Sequence, residues 1–476
     1  MSLQFITGGS GAGKSEYLSR LVCEESVRRP HDNFIVVVPE QYTMETQKKL
    51  VHMHSRKGIL NIDVVSFERL AYKVFEELGG GNRPVLDDTG KNLIVRRVLE
   101  KEKKKLDYFG SSIEKTGFVS ELKSVISELL QYGITPQQLG EIGENVKEKQ
   151  QLSAKLKDIR LVYEEFMAFL STNYITSEEI LDVLCGLVEK SKLIAGSEII
   201  FDGFTGFTPI QYKLMRLLLV YSKGIKISVT IDKKERPTGH EGWNNLFFMS
   251  KEMMNRLIAI CEEEGINVDD TVCVDRNINY RYEGAKDLAY LERNLFRYKG
   301  GVYTGTPENI RIYEGSNPKE ELQYIVSEIL QLTRKEGFRY RDIAVVTADL
   351  ETYGKVAANM MKQNDIPAFL DYKRSVASNP YVEMLCSALE IVEKGYPYDT
   401  MFRYLRTGLT GISRHDIDML ENYCLAVGIR GSRAWHEPWK KKMKRSTYQP
   451  ELETLNALRE QIMAPFLNLE AVLKDK

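Results

Sequence analysis

The sequence lacks most of the devices that staple or anchor a chain. Its 476 residues include six cysteines, Cys23, Cys185, Cys261, Cys273, Cys386 and Cys424, and no two stand at C-x-x-C spacing, so zinc-ribbon and thioredoxin-like chemistry have no footing. Singly scattered cysteines fit a reducing cytoplasm, where they serve as small buried hydrophobes. No apolar run approaches the roughly 20 residues of a membrane span. The opening MSLQFITGG has no basic region ahead of an apolar stretch, so no secretory leader is expected. Neither sign of charge is in excess: the formal net charge is −1, and any grip on nucleic acid must come from local patches. The expectation is a soluble, cytoplasmic protein without membrane contact. With 43% hydrophobic and 28% charged residues, the chain has the composition of a globular protein that needs no staples.

What is present is a βαβ rhythm. LQFIT, FIVVVP (Phe34 to Pro39) and NIDVV (Asn61 to Val65) are short apolar runs separated by helical patterns such as YTMETQKKLVHM. Two of these runs are too apolar for a half-exposed strand and suit the centre of a parallel sheet. From about Pro84 to Lys192 long helical patterns take over (GKNLIVRRVLEKEKKKL, GFVSELKSVISELLQYG, LKDIRLVYEEFMAFL), and strand character returns at SEIIFDGF and GIKISVTID. The predicted fold is therefore an α/β nucleotide-binding core, residues 1–85 and 193–305, split by an all-helical insert, residues 86–192. A second α/β pattern follows over 306–377, with NIRIYEG and DIAVVTAD read as strands, the latter buried, and KEELQYIVSEILQLTRKEG as a helix between them. Residues 378–476 read as helical. Two strands make a poor sheet alone, so this second unit reads as unfinished and the chain as a fragment of a longer protein.

GGSGAGKS, Gly8 to Ser15, satisfies G-x-x-x-x-G-K-[ST], with strand before and helix after. Gly8, Gly9, Ser10, Gly11, Ala12 and Gly13 would turn successive amides toward phosphate oxygens, aided by the positive end of the following helix. Lys14 would reach the β- and γ-phosphates of ATP, and the Ser15 hydroxyl would ligate Mg²⁺. The plain alternative is an ordinary glycine-rich turn. Hydrolysis needs an Asp near the metal and a base for the attacking water. IIFDGFTGFTPIQ, Ile199 to Gln211, offers Asp202 at the end of an apolar run, as a metal-side carboxylate or as a simple strand cap. The next residue is Gly203, which has no side chain to act as base.

Together with that loop, VPEQYT, VVSFERLAYKVF, FDGFTGFTPIQ, LERNLFR and DYKRSVASNPYVEML resemble the N-terminal part of the AddB family. These are the B subunits of AddAB-type bacterial helicase–nucleases, related in plan to superfamily 1 helicases and to RecC. The resemblance runs along essentially the whole chain and implies a superfamily 1 helicase-like core with 1A-, 1B-, 2A- and 2B-like parts. Against the D-E-x-Q-D…Q pattern of those helicases, Asp202 and Gln211 match, while Gly203, Thr205 and Gly206 replace Glu, Gln and Asp. The resemblance implies pairing with an AddA motor and nuclease subunit, work on single- and double-stranded DNA at double-strand breaks, and reading of a recombination hotspot. It also implies a C-terminal nuclease part with an iron–sulfur cluster, for which this sequence has neither the cysteine cluster nor a nuclease motif.

Such helicases hold single strands on loops that follow the sheet strands. VPEQYT offers Gln41, Tyr42 and Thr43, and SFERLAY offers Ser66, Phe67, Arg69 and Tyr72. Phe204 and Phe207 follow Asp202 and could line the same channel. Stacking contributes about 1–3 kcal/mol per base, and Arg adds phosphate attraction. Against this, Phe67, Leu70 and Val74 recur at helical spacing, which would turn Phe67 to the core. EKEKKK (Glu100 to Lys105) reads as a solvated helix face, and WHEPWKKKMKR (Trp435 to Arg445) mixes tryptophans with a basic cluster, a weaker candidate for DNA or partner contact. Two rival functions remain open on sequence. One is a self-sufficient ATPase or DNA translocase whose base is Glu40 or Glu198, and the other is a structural scaffold with a relic loop.

Overall fold

Two of the apolar runs of the first third, LQFIT and FIVVVP, become central strands of a sheet covered on both faces, and NIDVV becomes its edge strand. The computed structural model describes residues 1–79, 84–113, 115, 117–146, 149–176, 179–236, 242–297, 301–371, 376–443 and 450–474, in two units, Met1–Arg311 and Ile312–Lys476. In chain order the strands are β1 (Ser2–Gly8), β2 (Asn33–Val37), β3 (Ile62–Val65), β4 (Val85–Leu86), β5 (Ile175–Thr176), β6 (Ser197–Phe201), β7 (Gly224–Thr230), β8 (Asn267–Val268) and β9 (Val272–Cys273). Seven form one sheet in the order β3-β2-β6-β7-β1-β8, with β9 also on β1, and every pairing is parallel.

Alternation along the strands divides two cores. Leu3, Phe5, Ile35, Val37, Ile199 and Phe201 face one side, where Leu70, Val74 and Leu214 cover them. Ile6, Phe34, Val36 and Ile200 face the other, under Leu18, Val22 and Leu50. Helices on both faces are what a parallel sheet requires. Three matter for the site: α1 (Lys14–Arg28), α2 (Thr43–Met53) and α3 (Phe67–Leu78).

The helical insert leaves and returns through the parallel pair β4–β5, which ties its two ends together at Val85–Ile175 and Leu86–Thr176. Its core, built from Ile94, Val98, Leu122, Val162 and Phe166 among others, runs from Leu86 to Leu170. Ile175, Ile180, Leu184 and Val188 pack instead with the sheet, so the tail of the expected 86–192 insert joins the sheet's core. EKEKKK is not wholly solvated: Glu102 is buried and ion-paired with Lys101 and Lys105. A carboxylate can turn inward on an otherwise wet face when cations from the same helix cover it.

In the second unit the predicted helix appears as Pro318–Lys335, but the two predicted strands are not in a sheet. All nine strands of the described residues lie in the first unit. Within DIAVVTAD, Val346 is 91% exposed, and within NIRIYEG, Ile312 is 95% exposed, so the expected buried strand is an exposed extended segment. NIRIYEG alternates and DIAVVTAD holds a continuous apolar run, yet a strand needs a hydrogen-bonded neighbour, and these have none among the described residues. From Pro380 the chain is helical as expected, around a core that includes Tyr396, Phe402, Leu420, Trp435 and Trp439. Both tryptophans of WHEPWKKKMKR are thus core residues. Lys444 and Arg445 of that stretch, like residues 372–375 of DYKRSVASNPYVEML, lie outside the described residues.

Candidate functional site

In a parallel sheet all strands end at the same edge, and this edge collects the segments singled out in the sequence. β1 runs into GGSGAGKS, β2 into VPEQYT, β3 into SFERLAY, β6 into DGFTGF and β9 into residues 274–283.

The loop after β1 has the conformation its glycines permit. Gly11 and Gly13 stand at φ +71° and +97°, left-handed values that disfavour any residue with a Cβ. Gly13 caps α1, and no side chain bonds the first turn of that helix, which leaves its amides and its positive dipole end for an anion. Lys14 Nζ donates to the Gly8 and Gly9 carbonyl oxygens at 2.9 and 3.0 Å, folding the ammonium back over the loop. Burial pushes its pKa down. Asp202, Asp275 and Glu292 hold it up, and Arg281 acts with burial. Ser15 is exposed at the start of α1.

A segment distant in sequence covers this loop. The Glu292 carboxylate accepts from the Ser10 amide at 3.3 Å, and Asn279 Nδ2 donates to the Ser10 carbonyl at 3.2 Å. The Arg281 amide donates to the Gly11 carbonyl at 3.3 Å. A Cβ on Gly11 would meet the Arg281 Cβ at 2.6 Å, so the close approach demands glycine there. Burial pushes the Glu292 carboxyl up, the Ser10 amide opposes this, and Asp275 adds to it. Glu292 therefore occupies an amide that a phosphate oxygen would use. On the same helix (Lys286–Asn294) Asp287 accepts from the Glu308 and Asn309 amides at 2.9 and 2.7 Å. Those bonds hold its carboxyl down at about 2. Sequence reading missed Asn279, Arg281, Asp275 and Glu292. No local signal marked them: Asn279 to Tyr282 come six residues after β9, a two-residue strand too short to be read in the sequence.

Asp202 leaves β6 beside the loop, one strand removed, because β7 lies between β6 and β1. Its Oδ1 accepts from the Ser228 hydroxyl at 2.5 Å, and it is close enough to raise the Lys14 pKa. Gly203 stands at φ +84°, with the Pro39 ring 3.5 Å from where a Cβ would be. The position that would carry a water-activating Glu is thus shaped for a residue without a side chain. Gln211 caps a helix: its Oε1 accepts from the Thr208 amide at 2.9 Å, and its own amide donates back to the Thr208 hydroxyl. Of the two rival bases, Glu198 sits at the start of β6, the far edge of the sheet, neutralised by Arg29 and Lys226. Glu40 follows β2 and is engaged by Arg69 at 2.9 Å.

The DNA-facing candidates divide by exposure. Gln41, Arg69 and Tyr72 are exposed. Thr43 is buried and donates its hydroxyl to the Glu40 carbonyl at 3.0 Å, closing the turn before α2. Ser66 caps α3 by accepting from the Arg69 amide. Phe67 is 7% exposed and packs edge-on against Phe204 and Phe207, with ring centroids 5.4 and 6.1 Å away. The helical spacing of Phe67, Leu70 and Val74 thus prevails, and Phe67 is core. Phe204 and Phe207 are half-buried rings of the same cluster. Among the described residues there is no group of three or more His, Cys, Asp or Glu side chains arranged to hold a metal, and no helix is long and apolar enough to cross a membrane.

A glycine-rich loop between the first strand and first helix of a doubly covered parallel sheet defines a P-loop α/β domain. Residues 5–292 match the model of the family described as "ADDB, N-terminal", and the chain belongs to that family. It is 41% identical to the B subunit of the ATP-dependent helicase/deoxyribonuclease of Lachnoclostridium phytofermentans, over 100% of this chain and 42% of that protein. The like-named proteins of Clostridium novyi and Caldanaerobacter subterraneus subsp. tengcongensis are 33% and 36% identical. These alignments take in 100% and 98% of this chain and 41% and 40% of those proteins. The chain spans about two fifths of the length of these curated relatives.

Proposed function

We propose that this chain is the nucleotide- and DNA-holding part of the B subunit of a heterodimeric, cytoplasmic ATP-dependent helicase–nuclease that processes double-strand breaks for homologous recombination. It binds ATP on Gly8–Ser15, holds single-stranded DNA at the same edge of the sheet, and docks onto the AddA motor subunit. It neither translocates nor cleaves DNA by itself. The nuclease chemistry and the iron–sulfur cluster belong to the longer relatives' remaining length.

The observation that carries the nucleotide reading is the left-handed Gly13 opening an α1 whose first amides no side chain caps. The cradle suits phosphates: no side chain caps the first amides of α1 and Lys14 lies over the loop, while the Ser10 amide is shared with Glu292. Ser15 and Asp202 would hold Mg²⁺, which would neutralise phosphate charge there. Without a carboxylate at Gly203, bound nucleotide persists rather than turns over, so its role is to order the subunit. Gln41 and Arg69, exposed on neighbouring loops, favour the backbone and base edges of a single strand, with Tyr72 beside them. Phe204 and Phe207 shape the floor of that channel.

The test is binding of a fluorescent, Mg²⁺-loaded ATP analogue and of a labelled single-stranded oligonucleotide to this chain and to Lys14→Ala. The expected result is saturable nucleotide binding that disappears in the variant, with oligonucleotide binding that salt weakens. Nucleotide binding indifferent to Lys14 would contradict the assignment of the loop, and absence of oligonucleotide binding would contradict the DNA part.

A further inference from the structure

One amide of the loop after β1 is already taken by a carboxylate. Glu292 accepts from the Ser10 amide at 3.3 Å, the bond an anionic oxygen makes with a backbone N–H. Its Oε1 is also 3.0 Å from where a Cβ on Gly9 would stand, and Asp275 Oδ1 is 3.5 Å from the same point. That Asp275 oxygen is buried without a hydrogen-bond partner among the described residues, while its Oδ2 accepts from the Lys233 amide at 3.1 Å. Two carboxylates thus close on Gly9 and Ser10.

Glu292 is delivered there by a fixed element. It is half-buried on the helix Lys286–Asn294. Asp287, at the start of that helix, is 4% exposed. Besides the Glu308 and Asn309 amides, it accepts from Asn309 Nδ2 at 2.8 Å. Beside Glu292, Arg293 donates to the Arg276 carbonyl. The helix is therefore tied at both ends, and its carboxylate is held against the loop.

The position decides which phosphate it meets. In loops of this pattern the amides opening the helix take phosphates nearer the nucleoside, and the lysine reaches those beyond. Here the first turn of α1 has no side-chain cap, and Lys14 Nζ lies on the Gly8 and Gly9 carbonyls. The far end of a phosphate chain therefore arrives at Gly8–Ser10, where Glu292 stands, while the α1 end stays clear. A like charge at contact distance selects between ligands by its cost to one of them.

We infer that Glu292 is a specificity-determining residue whose carboxylate stands in for a terminal phosphate, so that the site takes a nucleoside diphosphate in preference to the triphosphate. The inference rests on the reading of Gly8–Ser15 as a phosphate site and adds the length of phosphate chain that site favours. The triphosphate enters only as the carboxylate gives up the Ser10 amide.

Calorimetric titration of this chain, Glu292→Gln and Glu292→Ala with Mg²⁺-ADP and Mg²⁺-ATP tests it. The expected wild type binds ADP about fivefold more tightly than ATP. Glu292→Gln keeps the size without the charge and raises the ratio of ATP to ADP affinity about fivefold, to near parity. Glu292→Ala raises it at least as far. A wild type that prefers ATP overturns the inference, as does a ratio unmoved in both variants. Equal gains for both nucleotides also overturn it, because the carboxylate would then oppose any phosphate. A ratio that falls in Glu292→Gln overturns it too, since the carboxylate would then serve the triphosphate. In each of these cases binding persists and the phosphate loop stands. Failure of the wild type to bind either nucleotide would remove the phosphate reading and this inference with it.

Discussion

Two glycine-bearing turns leave the same edge of one sheet and use glycine for opposite ends. In Gly8–Ser15, left-handed Gly11 and Gly13 expose amides and bring a charged side chain, Lys14, into reach of them. In Asp202–Phe207, left-handed Gly203 leaves a carboxylate with no neighbour that could draw a proton from water. The first turn is complete for holding an anion. The second carries a carboxylate, Asp202, and is shaped against a base beside it. A phosphate loop is therefore a statement about binding, and the strand next but one decides whether chemistry follows.

The largest expected effect breaks the first turn. Lys14→Ala removes the loop's only side-chain cation, and nucleotide affinity by calorimetry falls about a hundredfold. Next is an attempt to erase the difference between the turns. Gly203→Glu places a side chain at φ +84° against Pro39, and urea denaturation shows a loss of about 1–2 kcal/mol with no ATP hydrolysis gained.

Smaller effects sharpen the comparison. Glu292→Gln removes the carboxylate that shares the Ser10 amide, and nucleotide binds about fivefold tighter than to wild type. The Glu292 pKa is raised, so wild type sheds this competition as pH falls through the raised value. The gap between the two proteins is then widest at neutral pH and closes in acid, read from affinities across the pH range. Smallest is Arg69→Ala, which also frees Glu40. Single-strand affinity falls about threefold, and the slope of log affinity on log salt becomes shallower by about 0.7, as for the loss of one phosphate contact.

Much of the first unit was legible in the sequence, for a physical reason. Strands in the middle of a doubly covered sheet read as apolar runs, as β2 and the end of β6 do, while β7 alternates and the edge strand β3 carries Asp63. The two-residue strands β4, β5, β8 and β9 were not legible, because two residues carry no periodicity. Val85, Ile175 and Val272 could equally be loop. The turn after β1 is local, with the left-handed Gly11 and Gly13 and the inward Lys14 all inside the eight residues Gly8–Ser15. Its cover is not local. Glu292 and Asn279 reach Ser10 only because β8 and β9 bring the chain back beside β1, and nothing in their own neighbourhood announces a partner so distant. Phe67 illustrates a competition between signals: a loop position suggested DNA, helical spacing suggested core, and the 5.4 Å contact with Phe204 shows that packing prevails. In the second unit, DIAVVTAD has the composition of a buried strand. Burial of Val345 and Val346 needs a neighbouring strand that the described residues do not provide.

The central claim is that this chain holds ATP without turning it over. Single-turnover hydrolysis of Mg²⁺-ATP by the chain alone, at protein concentrations above the measured dissociation constant and with single-stranded DNA present, tests it most directly. The account predicts stoichiometric, Lys14-dependent binding and a phosphate-release rate equal in wild type and Lys14→Ala. A Lys14-dependent burst of phosphate would contradict it, because some group other than Gly203 would then be activating water.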